Sequence, residues 1–99
     1  MNGDSLRIHP AALDEAEAAL AWYGMRSSKA AEAFLVELNR MVVQISQHPG
    51  QYPLSEFKTR KAVLQMFPYV IVFREGTEGI EIVAVAHGRR RPGYWRDRL

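Results

Sequence analysis

The run YVIVFREGTEGIEIVAVAH, residues 69–87, constrains this chain more than any other stretch. Its two limbs are rich in β-branched and aromatic residues, and the polar, glycine-containing EGTEG between them is turn chemistry. The run therefore predicts a β-hairpin with strands at 69–74 and 80–87 and a turn over 75–79. The second limb is apolar on both faces in its middle, which places it centrally in its sheet. Just upstream, Arg60, Ala62, Leu64 and Met66 alternate with Lys61, Val63 and Gln65, predicting a half-buried strand that Phe67-Pro68 ends.

Such a sheet needs a cover, and the first half of the chain supplies one. Leu6 and Ile8 alternate with Ser5 and Arg7 in a short strand that Pro10 must end, and a helix starts near that proline. Leu13, Ala16, Leu20 and Tyr23 recur at spacings of three and four, with Asp14, Glu15 and Glu17 in the opening turns, where dipole and solvent account for them. Residues 24–28 are a break. A second helix follows with Ser27 or Ser28 as N-cap, an apolar stripe at Ala31, Phe34, Leu35, Leu38, Met41, Val42 and Ile45, and a stop at His48-Pro49-Gly50. The expected fold is α+β: a two-layer sandwich of order β-α-α-β-β-β, with the helix hairpin packed on a small, mostly antiparallel sheet and an irregular or helical tail.

Ninety-nine residues make a single domain, 1–99, able to bury roughly 60–68% of its unfolded surface. The 47% hydrophobic and 24% charged residues are those of an ordinary globular chain. Absence of cysteine excludes disulfides, thiolate metal sites and a cysteine nucleophile. The N-terminal MNGDSLRIHP lacks an apolar core of leader length, and no run approaches the ~18 apolar residues of a membrane span, so a soluble, cytoplasmic protein is expected. Charge divides unevenly: residues 1–50 carry a net −2 and residues 51–99 a net +4. A basic second half points to an anionic partner, whether nucleic acid, phosphate or an acidic protein segment.

That basic character culminates in HGRRRPGYWRDRL, residues 87–99. Arg89, Arg90 and Arg91 are expected to alternate sides along the sheet's rim, Pro92-Gly93 to turn the chain, Tyr94 and Trp95 to pack back, and Arg96 and Arg98 to stay wet. His9 and His48 precede prolines at element boundaries and read as capping or solvent-exposed residues, whereas His87 closes a central strand beside arginines and suits general acid–base work or a structural rim position. No metal-ligand spacing, nucleophile elbow or phosphate-cradling glycine loop is present, so neither metal nor cofactor is expected. Lys61, His87, Arg90 and Tyr94 are the types that metal-free RNA cleavage would use, stabilising a phosphorane-like transition state with fixed positive charge. They suit plain RNA or DNA binding equally well. Trp22 and Tyr23, consecutive on a helix and about 100° apart, cannot both face the core, so either both roof the open end of the helix hairpin or one is a binding anchor.

Taken together, HPAALDEAEAALAWY, FLVELNRMVVQISQHPGQYPL, RKAVLQMFPYVIVFR and VAVAHGRRRPGYWRDRL resemble the RelE/ParE superfamily of toxins from bacterial type II toxin–antitoxin modules over nearly the whole chain. The resemblance implies the same β-α-α-β-β-β order and a toxin neutralised by an antitoxin whose disordered C-terminal segment folds around it. It implies one of two activities: ribosome-dependent mRNA cleavage, as in RelE-like members, or inhibition of DNA gyrase, as in ParE-like members. RelE-like ribonucleases carry two basic residues one position apart on the strand before FPY. Here Lys61 matches the first, but Val63 stands at the second, and Val70 stands where those enzymes carry an arginine. Arg90 or one of its neighbouring arginines matches the later catalytic arginine, and Tyr94 the tail tyrosine. The WY pair, the FPY strand and the H-x-x-R-x-P-x-x-W ending look more like ParE-type chains, implying a non-enzymatic grip on gyrase and a role in growth inhibition and plasmid stabilization. The partner-contact residues on that reading are Trp22, Tyr23, Arg60, Arg89, Arg91, Trp95 and Arg98. The catalytic set of the alternative is Lys61, His87, Arg90 and Tyr94. A degenerate toxin that only binds its antitoxin is the third reading, and a homodimer or a toxin–antitoxin hetero-oligomer the expected assembly.

Overall fold

The computed structural model describes residues 5–99; the first four residues lie outside the described residues. The order of elements is β1 (Leu6–Ile8), α1 (Pro10–Gly24), α2 (Ser28–Gln47), β2 (Arg60–Val63), β3 (Tyr69–Gly76) and β4 (Gly79–His87), with short 3-10 turns at Pro49–Gln51, Glu56–Lys58 and Arg96–Arg98. The four strands form one sheet in the order β1-β4-β3-β2. β1 runs parallel to β4, and the other pairs are antiparallel. The hairpin is tighter than its sequence suggests, because Glu75 pairs with Ile80 and Gly76 with Gly79, which leaves Thr77 and Glu78 as the turn.

Local chemistry explains the boundaries. Pro10 opens α1, and the His9 Nδ1 accepts the Ala11 N–H at 3.0 Å, so this histidine is a cap. Ser27, of the two serines considered, caps α2 by accepting the Ala30 N–H at 3.1 Å. β2 stops at Val63 and does not reach Met66, which is 73% exposed. The cause lies in α2: Glu37 is buried, and its carboxylate accepts the N–H groups of Gln65 and Met66, drawing the chain out of the ladder.

The face of α1 against the sheet is made of small side chains. Ala12 and Ala19 are buried, while Leu13, expected in the stripe, is 45% exposed and borders a cleft facing α2. Phe34, Ile45, Ile71, Phe73, Ile82 and Val85 fill the space between helices and sheet, with Tyr23, Phe67 and Tyr69 closing one end.

A second apolar cluster lies on the opposite face: Val72, Val83 and Ala84 beneath Trp95, with Val70 and Tyr94 beside them. The helices thus cover one face and the C-terminal tail caps part of the other. A register shift makes this possible. Val72 pairs with Ala84 but Phe73 with Ile82, so Val83 is an extra residue in β4. Ile82 and Val85 consequently point at the helices while Val83 and Ala84 both join the tail's cluster, which strict alternation would forbid.

Candidate functional site

The irregularity in β4 sits where two backbone groups take side-chain partners. Val85 N–H donates to Glu15 Oε1 at 3.0 Å, and Val83 C=O accepts from Arg98 at 3.0 Å. Arg98 and Glu15 also face each other in a two-pronged ion pair, Nη1 to Oε1 at 2.9 Å and Nη2 to Oε2 at 2.8 Å, with both side chains 17% exposed. The Tyr94 hydroxyl donates to the same carboxylate at 2.6 Å. One acid on α1 therefore holds the strand and the tail together. Burial pushes the Glu15 carboxyl up, but the bonds from Arg98, Tyr94 and Val85 outweigh it and hold it below the ordinary range. Burial, then the hydrogen bond and charge of Glu15, push the Tyr94 phenol up to about 12.

This network corrects the sequence reading in three places. Glu15 is a structural keystone and not a solvated helix acid. Arg98, expected wet and a partner contact, is engaged inside the molecule. Trp95 is 2% exposed, with its ring over the second cluster and Phe57 edge-on at 6.1 Å, so the isolated chain has no Trp95 surface to present. Arg60, another expected partner contact, is also occupied, reaching Glu75 at 2.9 Å and Tyr52 C=O at 2.6 Å. Arg89, Arg90 and Arg91 do not alternate along a strand, because β4 ends at His87. The Arg89 N–H returns to His87 Nδ1 at 3.1 Å and the Arg90 N–H to His87 C=O at 2.9 Å, so the chain turns at once. All three arginines are exposed and, among the described residues, make no ion pair. Arg90 lies over the Tyr94 ring at 3.8 Å.

Two clefts meet at His87 and Arg90. The one on the tail side, about 130 Å³, is lined by Lys61, His87, Arg90 and Tyr94, which the fold brings together, over a floor that includes Val70, Val72 and Ala86. Lys61 Nζ stands 3.7 Å from Glu56. The other, about 470 Å³, opens on the helix side between α1 and the end of the β3–β4 pair, where Trp22, Tyr23 and Tyr69 form its wall. Of the WY pair, Trp22 is the exposed member at 50%, with the Arg26 guanidinium stacked on it at 3.6 Å, and Tyr23 packs inward against Phe34 and Phe67. A third, apolar cleft of about 230 Å³ runs between α1 and α2 above Ile82, bordered by Leu13, Leu20, Leu35, Leu38 and Val42.

A small α+β domain whose sheet ends in a basic rim, with an ion-paired tail strapped across its second face, is the class that fold and site define. The family described as "ParE toxin of type II toxin-antitoxin system, parDE" matches residues 6–92, so the chain belongs to the ParE toxin family. A solved structure titled "Chromosomal ParDE TA system from P. aeruginosa" shares the fold, with a TM-score of 0.73 and 23% identity, covering 84% of this chain and 94% of that one. No curated protein matches the sequence significantly. Among the described residues, no helix is long and apolar enough to cross a membrane.

Proposed function

We propose that this ParE-family chain acts as a toxin by gripping DNA gyrase without catalysing a reaction, and that a cognate antitoxin neutralises it. The observation that carries the non-catalytic reading is the make-up of the tail-side cleft. Its floor at Val70 is apolar, and Val63, the other position where RelE-like ribonucleases carry charge, is a 65% exposed valine. Tyr94, the phenol nearest a catalytic role, donates to Glu15 and stays protonated across the physiological range. Each absent electrostatic contact at a transition state costs on the order of 10²–10³ in rate, so two together leave little ribonuclease. For the antitoxin, the apolar cleft between α1 and α2 suits a partner's amphipathic segment, and the unpaired arginines suit its acidic side chains.

The mRNA-cleavage alternative keeps one observation in its favour, the gathering of Lys61, His87, Arg90 and Tyr94 around one cleft. One preparation decides between the two. The expected result is inhibition of gyrase supercoiling with no new cuts in mRNA on translating ribosomes. Full gyrase activity at large toxin excess overturns the gyrase reading. Cleavage abolished by Lys61→Ala with Arg90→Ala establishes the alternative, and an inert protein that still binds its antitoxin is a degenerate toxin.

A further inference from the structure

The helix-side pocket has a use that gripping a protein does not require. Its wall is a chain of rings in contact: Trp22 edge-on to Tyr23 at 5.1 Å between centroids, Tyr23 to Tyr69 at 6.4 Å, and Tyr69 to the His87 imidazole at 5.1 Å. Two of these rings carry hydroxyls that, among the described residues, have no internal hydrogen-bond partner, whereas Tyr52 and Tyr94 both have one. Burial pushes the Tyr23 phenol up, and burial with the neighbouring Tyr23 does the same for Tyr69, so both stay protonated. His87 Nδ1 accepts the Arg89 N–H, which leaves the ring's proton on Nε2 as a donor in the neutral imidazole. Arg90 adds a guanidinium whose direction is set by its stacking on Tyr94. The one acid in the lining, Glu15, is already matched by Arg98.

The pocket therefore combines an aromatic wall with a surplus of donors and, among the described residues, one positive charge without an ion-pair partner. Its volume of about 470 Å³ falls in the range of small-molecule sites. A planar ligand rich in acceptors, carrying an anionic group with several oxygens, satisfies every part. A carboxylate side chain offers two oxygens and no ring for the wall, whereas a nucleotide offers phosphate, base edge and π-face together. We propose that this pocket is a nucleotide site, taking a base against Trp22, Tyr23 and Tyr69 and its phosphate on Arg90 and His87. Arg89 and Arg91, exposed beside it, extend the positive surface toward a following phosphate, which favours a single-stranded DNA segment over a free mononucleotide. The site lies on the helix side, opposite the floor of the tail-side cleft, and it goes beyond the gyrase reading.

Binding is measured on the purified full chain without gyrase, so its outcome is separate from that of the supercoiling assay. Trp22 is half-exposed and Trp95 buried, so quenching of tryptophan fluorescence reports the pocket. Titration with deoxyadenosine monophosphate is expected to quench saturably, and a labelled short deoxyadenylate strand to bind more tightly by fluorescence anisotropy and more weakly as salt rises. Arg90→Ala, at an exposed position, is expected to weaken both about tenfold, and Trp22→Ala the strand by a similar factor, with circular dichroism unchanged. Equal affinities for strand and mononucleotide would identify the free nucleotide as ligand and keep the site. The proposal is overturned by any of three results: no saturable quenching, affinities untouched by Arg90→Ala and Trp22→Ala, or an acidic tyrosine-containing peptide binding where neither nucleotide probe does.

Discussion

Glu15 lies between Ala12 and Ala19 on the face of α1 that touches the sheet, three and four residues from each, and that spacing is the signal by which it could have been found. A carboxylate flanked at helical spacing by buried small residues must itself be shielded, and a shielded acid needs partners. Reading it as a dipole-stabilised surface acid missed this, because its partners come from 70 to 83 residues away. Glu15→Gln keeps the shape but leaves Arg98 without a counter-charge, and is expected to lower unfolding free energy by about 2 kcal/mol in urea titrations. The pH dependence follows from the same group. Its folded pKa is lowered, so its contribution is complete above the ordinary 4.5 and fades as pH falls through the folded value. Tyr94 has the opposite sign: its contribution is complete below 10.0 and is lost as pH rises through about 12. Thermal midpoints against pH should therefore show a plateau bounded on both sides, with Glu15→Gln shrinking the acid limb and Tyr94→Phe the alkaline one. Limbs unchanged in both variants would show that other groups set them.

Elements were more legible than their ends. The two helices, the hairpin and the β-α-α-β-β-β order along the chain follow from period and punctuation, and Pro10, Ser27 and His48-Pro49 mark boundaries that the structure keeps. The misread end of β2 depends on Glu37, 28 residues before the amide that it binds, and the bulge at Val83 depends on what the tail must reach; neither is written in the local pattern. Gly79 is an element-scale case that sequence alone reads only as turn chemistry. Its φ of +110° is costly for an L side chain, and a Cβ there would lie 2.1 Å from the Ser5 carbonyl oxygen, the group that accepts the Ile80 N–H at 2.9 Å. Gly79→Ala is accordingly expected to cost about 2–3 kcal/mol and to loosen β1 from β4, read as lost hydrogen-exchange protection at Ile80. Gly50→Ala, with open space around it, serves as the neutral control.

At the scale of the whole molecule, the tail has two jobs in one sequence, and they can be separated. Trp95, Tyr94 and Arg98 face inward and close the sheet's second face, while Arg89, Arg90 and Arg91 face outward and make the basic rim. On the sequence, Trp95 counts among the partner contacts with Arg89, Arg91 and Arg98, yet what the fold needs is its indole. Without it, Val72, Val83 and Ala84 would lie open on a sheet that no helix covers from that side. Trp95→Ala is expected to cost about 3–5 kcal/mol, a large part of what a domain of this size has, and to give a lower urea midpoint with dye-binding apolar surface. Arg89→Glu with Arg91→Glu should stay within about 0.5 kcal/mol of the parent, since neither side chain is ion-paired among the described residues, yet slow association with the antitoxin at low salt. The two variants cross: one loses stability first and partners as a consequence, the other loses partners at full stability. If Trp95→Ala instead unfolds at the parental midpoint, the second face needs no cover, and the tail is a docking strip after all.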